Sequence, residues 1–264
     1  MNKLKPLPEE WSGLLNNEQK EAIENINGPL LIIAGAGSGK TRVLTYRYAH
    51  LIKTYGINFE NVLAITFTNK AANEMKDRIS DLLNLELSPK WISTFHSLCV
   101  KMLRIHGHLI GFNNNFTIYD QSDSTKLVRN CMRDSDIDTK QYSPKRIQAH
   151  ISSLKNQRIL PGEAVEFAQS FFDVKVAEIY SSYQKKLMLA NSMDFDDLLI
   201  KAVELLETSD KSLNYWSSKF QYIMIDEYQD TNMVQYRLVE LLASKHKNIC
   251  VVGDSDQSIY AFRG

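Results

Sequence analysis

The stretch Leu30-Leu31-Ile32-Ile33-Ala34-Gly35-Ala36-Gly37-Ser38-Gly39-Lys40-Thr41 decides how this chain is read. A short apolar run breaks into glycines and ends in Gly-Lys-Thr, where an amphipathic helix can begin. That is the strand–loop–helix order of a phosphate-binding P-loop, and the apolar run predicts a buried strand before it. The glycines allow a tight backbone curl with N–H groups pointing inward. The following helix adds the positive end of its dipole. In this pattern Lys40 reaches the β- and γ-phosphates and the Thr41 hydroxyl ligates Mg²⁺. Ala34 stands where G-x-x-x-x-G-K-[ST] asks for its first glycine, the smallest departure possible. A nucleotide cradle of Ala34, Gly35, Ala36, Gly37, Ser38, Gly39, Lys40 and Thr41 follows.

Outward from this loop, residues 12–26 carry apolar side chains at near-helical spacing, and Gly28-Pro29 ends them. A helix is expected from Thr41 to Gly56. Residues 62–67 and 91–94 read as further short apolar strands, each followed by a helical pattern. This alternation predicts an α/β fold, a parallel sheet with helices on both faces. It stops between about 111 and 191, where only 116–119 looks strand-like. It returns with strands at 220–225 and 248–252 around a helix at 232–245. One α/β domain interrupted by a mostly helical insertion accounts for the pattern.

Bulk properties set limits on function. The 264 residues are 44% hydrophobic and 23% charged, with net charge zero, so any nucleic-acid surface must be local. Cys99, Cys131 and Cys250 are scattered without a C-x-x-C pair, which argues against a disulfide framework or zinc site. A polar N-terminus and the lack of a long apolar run imply no membrane span and a cytoplasmic protein.

Tyr222-Ile223-Met224-Ile225-Asp226-Glu227 places two carboxylates at the C-terminal end of a strand, where ligands bind in open α/β sheets. Such a pair can be a solvated turn. Beside Lys40 and Thr41 it gains a chemical role, in which Asp226 holds Mg²⁺ and Glu227 orients or deprotonates an attacking water. The run 253–264 again leaves a strand for a loop, and Gln257 there can hydrogen-bond a γ-phosphate. Tyr260 and Phe262 are either core aromatics or stacking platforms. Two stretches lack acidic residues. One carries Lys90, His96, Lys101, Arg104, His106 and His108, and the other Lys140, Lys145, Arg146, Lys155 and Arg158. They suit either solvated helix faces or a phosphate backbone.

Taken together, these motifs resemble the N-terminal part of superfamily 1 DNA helicases of the UvrD/PcrA/Rep group, in motif order from Leu15 to Gly264. The family form of the P-loop itself begins Ala-Gly-Ala-Gly. The resemblance implies that Gln19 reads the adenine edge and that Arg42 packs on the base. It makes residues 64–72 and 94–98 DNA-contacting loops, with Thr66, Phe67, Asn69, Thr94 and His96 as contacts. It also implies Asp226–Asn232 as motif II and 253–264 as motif III. There Gln257 contacts the γ-phosphate, Tyr260 and Phe262 stack on bases, and Arg263 couples ATP to DNA. Position 262 is Trp in familiar members, so Phe262 offers a smaller ring.

The resemblance further implies a RecA-like ATP-binding domain at 1–110 and 192–264, with the helical insertion at 111–191 and Asp194–Leu199 as the re-entry segment. ATP and Mg²⁺ are the implied cofactors, and single-stranded and duplex-junction DNA the implied partners. The family's second motor domain, which brings an arginine finger, is absent from these residues. The chain is therefore expected to be a fragment of a 3′–5′ helicase. In isolation it could be a nucleotide- and DNA-binding module without catalysis.

Overall fold

The computed structural model describes residues 5–35, 37–85 and 89–254. In chain order the elements are α1 Glu9–Ser12, α2 Asn17–Glu24, β1 Leu30–Ile33, α3 Lys40–Lys53, β2 Val62–Thr66, α4 Asn69–Leu83, β3 Ile92–Thr94 and α5 Phe95–His106. They continue with β4 Thr117–Tyr119, α6 Gln121–Asp134, α7 Pro144–Asn156, α8 Phe171–Leu189, β5 Ser192–Asp194 and α9 Phe195–Thr208. The last are α10 Asp210–Lys219, β6 Tyr222–Ile225, α11 Met233–Ala243 and β7 Ile249–Gly253. The described residues form two compact units, one of 5–98, 210–231 and 239–254, the other of 99–209 and 232–238.

The first unit is built on a five-stranded sheet in the order β1-β7-β6-β2-β3, every pairing parallel. Parallel strands covered on both faces read as unbroken apolar runs. Val62-Leu63-Ala64-Ile65-Thr66 is such a run, buried at every position. One face packs Val62, Ala64, Ile92, Met224, Cys250 and Val252 against Leu44, Tyr48 and Leu51 of α3 and Met75 and Ile79 of α4. Leu63, Ile65, Ile223 and Ile225 on the opposite face are buried as well. The expectation of a buried P-loop strand needs correction. β1 is the edge of the described sheet, flanked only by β7, and Leu31 and Ile33 are 59% and 66% exposed.

The helical pattern at 12–26 narrows to α2, Asn17–Glu24, with only Ser12 belonging to α1. Asn16 interrupts it, because its side chain accepts from Gln19 N while Gln19 Oε1 accepts from Asn16 N, a reciprocal cap that starts α2. Helix α3 is buried along one continuous span, Val43 to Leu51, Arg47 and His50 included. Arg47 Nη1 donates to the Ala22 carbonyl at 2.6 Å. His50 lies edge-on to Tyr55 at 5.2 Å. Burial pushes its pKa down, outweighing the opposing charge of Glu24.

The second unit holds a mostly helical core of Val128, Cys131, Met132, Ile147, Ile151, Val176, Tyr180, Tyr183 and Leu187 from α6, α7 and α8. It also contains a strand that periodicity misses. Ser192-Met193-Asp194 has no β-rich composition, yet it pairs in parallel with β4, Thr117 opposite Ser192. The unit therefore extends past 191. Asp194 and Asp197 form a reciprocal cap on α9, and both carboxylates receive the Lys155 ammonium at 2.7 Å. Tyr183 Oη adds a bond to Asp194 at 2.8 Å. Burial alone would favour the neutral amine at Lys155, but two carboxylates in contact outweigh it and hold its pKa above the ordinary value. Lys155 is thus removed from the basic stretch read as a phosphate-contacting face. Arg158 is also engaged, on Glu207 at 2.6 Å, and Arg237 shares that carboxylate.

Two outcomes follow. Lys155→Met leaves two carboxylates buried without their cation and should cost about 3–5 kcal/mol in urea unfolding. A loss below about 1 kcal/mol would show that the cluster is not what holds β5. For His50, the unfolded imidazole takes up its proton first, so folded stability declines as pH falls below about 6.5. His50→Phe should flatten the difference between urea midpoints at pH 7.5 and 5.5. The same acid-side loss in variant and parent would assign it to another group.

Candidate nucleotide site at the carboxyl edge of the sheet

Because all five strands run parallel, the loops after β1, β2, β3, β6 and β7 leave the same edge of the sheet. The P-loop leaves β1 with Ala34 still in the ladder, its N–H on the Gly253 carbonyl at 3.0 Å. The loop then closes tightly, with Ser38 Oγ on the Gly35 carbonyl at 2.7 Å. Gly37 and Gly39 adopt left-handed backbone, φ +74° and +90°, which L side chains resist. A Cβ on Gly39 would also lie 2.9 Å from Gln19 Nε2. That nitrogen donates to the Ser38 carbonyl at 3.1 Å, so the side chain capping α2 also braces the loop.

Lys40 opens α3 and is buried. Its Nζ lies 3.2 Å from Asp254 Oδ2 and 3.9 Å from Glu227 Oε2. Thr41 Oγ1 donates to Asp226 Oδ2 at 3.0 Å across 185 residues of sequence. Asp226 itself stays in register, its N–H on the Ile65 carbonyl at 3.0 Å. Burial, with help from the neighbouring Glu227 charge, pushes the Asp226 pKa up against the opposing bond from Thr41. Glu227 departs from the strand in left-handed backbone, φ +50°, and turns the chain into a short 3₁₀ turn, Tyr228–Asp230. Its Oε2 accepts Gln229 Nε2 at 2.7 Å. Gln229 Oε1 in turn accepts the Asp254 N–H at 3.0 Å.

The structure thus gathers Gln19, the P-loop, Thr41, Asp226 and Glu227. Arg42 is exposed, its guanidinium 5.6 Å from the Tyr46 ring. Thr66 and Thr94 are paired in register at the ends of β2 and β3, and both are buried. The Thr66 hydroxyl donates to the Thr68 carbonyl, and Thr94 caps α5 by accepting Ser97 N. Phe67 sits half-buried against Phe95, ring centroids 5.7 Å apart, and Asn69 is exposed at the start of α4. His96 is half-buried, and burial holds its pKa below the ordinary value. Ala36, Gln257, Tyr260, Phe262 and Arg263 lie outside the described residues.

With this geometry in place, comparison with known proteins becomes specific. The UvrD/REP helicase N-terminal domain matches residues 15–264. The chain belongs to this family. Among its relatives, the ATP-dependent DNA helicase PcrA of Staphylococcus aureus strain Mu50 is 50% identical over 250 residues, 95% of this chain and 34% of the relative. The protein of the same name from Staphylococcus epidermidis strain ATCC 12228 is 49% identical over the same length. The chain spans about a third of the length of these relatives. Its fold is the mostly parallel α/β arrangement described above.

Two residues at this sheet edge make bonds that cannot be found from sequence. Gln229 and Asp254 stand inside recognisable motifs, but nothing in their spacing says that one receives the other's backbone N–H or that Asp254 pairs with Lys40. Gly39→Ala should lower unfolding free energy by about 1–2 kcal/mol, from its left-handed backbone. Gly13→Ala is the control, with φ −78° and nothing within 4 Å of the added methyl. Equal effects in urea titrations would remove the argument for a strained P-loop.

Proposed function

We propose that this chain is the ATP-binding N-terminal part of an ATP-dependent DNA helicase, which hydrolyses ATP to move along single-stranded DNA and unwind duplex in the 3′–5′ direction. The observation that carries the reading is the convergence of Lys40, Thr41, Asp226 and Glu227 at one sheet edge. The relatives described above, ATP-dependent DNA helicases, support it.

In this reading the P-loop N–H groups and Lys40 bind the β- and γ-phosphates. Thr41 and Asp226 offer a hydroxyl and a carboxylate oxygen 3.0 Å apart, hard oxygen donors of the kind Mg²⁺ takes beside substrate phosphates. When bound there, Mg²⁺ supplies charge neutralisation at the phosphate oxygens. Glu227 orients a water toward the γ-phosphorus and accepts its proton. The new P–O bond forms as the bond to ADP breaks. Gln19 lies beside the loop, as a residue contacting the base must.

The β2–β3 side of the same edge is proposed as the DNA side. Phe67 offers a ring fixed by Phe95, and Asn69 offers an exposed amide. The lowered pKa of His96 makes it a neutral imidazole at pH 7, suited to a base or sugar rather than a phosphate. A second reading is that the residues here bind nucleotide and DNA without turnover.

ATP turnover with and without oligo(dT) tests the proposal in the full-length protein. Glu227→Gln should retain ATP binding and all but abolish turnover, and Lys40→Ala should lose both. Phe67→Ala should weaken single-strand affinity about tenfold while leaving ATP affinity unchanged. Wild-type hydrolysis by Glu227→Gln would exclude it as the base. Turnover by the 264-residue chain that vanishes in Lys40→Ala would exclude the second reading.

A further inference from the structure

We infer that Gln229 is a positioning residue for the proposed hydrolysis, holding the Glu227 carboxylate and tying it to the segment that leaves β7. The inference rests on the ATPase reading above and adds a residue to it.

The geometry uses both ends of one amide. Gln229 Nε2 donates to Glu227 Oε2 at 2.7 Å, and Gln229 Oε1 accepts the Asp254 N–H at 3.0 Å. A carboxylate demands a donor and a backbone N–H demands an acceptor, and an amide side chain carries one of each at its two terminal atoms. A carboxylic side chain would set like charge against Glu227, and an apolar one would release both partners. Glu227 needs such a hold, because its side chain is 40% exposed and its backbone is left-handed. Rotamer freedom on that scale would blur the direction in which it orients water.

Gly253 supports the same contact from the other side. A Cβ there would lie 2.9 Å from Gln229 Oε1 and 3.6 Å from Gln229 N. A methyl there would displace the amide oxygen itself rather than strain the backbone, since the glycine's φ is not in the left-handed region. Asp254, whose N–H the amide receives, directs its own carboxylate to Lys40 at 3.2 Å. Gln229 therefore links the proposed base, through one residue, to the lysine of the P-loop.

The test is a double-mutant cycle in the full-length protein, with steady-state ATP turnover and binding of a fluorescent ATP analogue as readouts. Gln229→Leu should lower kcat about 10- to 100-fold, the cost of a misplaced catalytic group. KM and analogue affinity should stay within about twofold, since the two hydrogen bonds of the amide go to Glu227 and Asp254. Gln229→Glu keeps an acceptor for Asp254 and removes the donor to Glu227, so it should lose as much kcat. It also serves if the leucine variant fails to fold. Gly253→Ala, which pushes the amide away, should give the same split. In a Glu227→Gln background, with residual turnover measured at high enzyme concentration, Gln229→Leu should add less than about twofold.

Multiplicative effects in the cycle, equal losses in affinity and kcat, or near-parental kcat in both Gln229 variants would each overturn the inference. Lys40→Ala and Glu227→Gln separate the two levels. If both lose turnover while the Gln229 variants do not, the ATPase reading stands and the positioning role falls. If both hydrolyse ATP at the parental rate, the turnover does not come from this site, and the ATPase reading of the site falls first and takes the positioning role with it.

Discussion

Parallel pairing is the constraint on which the site depends. A parallel strand delivers its C-terminal end to the same edge as its neighbours, so residues far apart in sequence can meet without a long loop. Thr41 and Asp226 show the result, in hydrogen-bond contact across 185 residues. The register that sets Ile65 beside Ile225 and Val251 fixes their separation more firmly than any local turn. A slip of one residue in β6 would carry Asp226 to the opposite face of the sheet and break that contact. Since Asp226 N–H still bonds the Ile65 carbonyl, the acidic residue belongs to the ladder rather than to a free loop.

Much of this is legible in the sequence. The P-loop, the acidic pair and the strands around them announce themselves because interior parallel strands must be apolar at every position and phosphate loops must be glycine-rich. Other features are illegible for reasons that can be named. β5 has no strand composition; its pairing with β4 and the pull of Lys155 on Asp194 make it one. The break between α1 and α2 rests on a reciprocal bond between Asn16 and Gln19, which apolar spacing does not register.

Lys155 is the instructive failure. In sequence it stands in a basic stretch without a nearby acid, the pattern of a solvent-facing or phosphate-facing surface. In space its partners arrive from 39 and 42 residues away, and the lysine lies inside the helical core. Local charge composition says nothing about ion pairs closed by the fold. The same limit applies at the nucleotide site, where Asp254 and Gln229 gain their geometry only when β7 and β6 lie side by side. Motif recognition finds the segments, while the bonds between them need the sheet.

Helix α3 carries one further consequence. From Val43 to Leu51 it has no solvent-facing stripe. An ordinary surface helix drifts freely along its polar side, but here each side chain meets packed neighbours whichever way it points. The helix that begins with Lys40 and Thr41 is therefore a stretch with almost no neutral positions. Sequence change that tunes nucleotide handling has to enter at its exposed first turn, where Arg42 stands, or through the loops at either end.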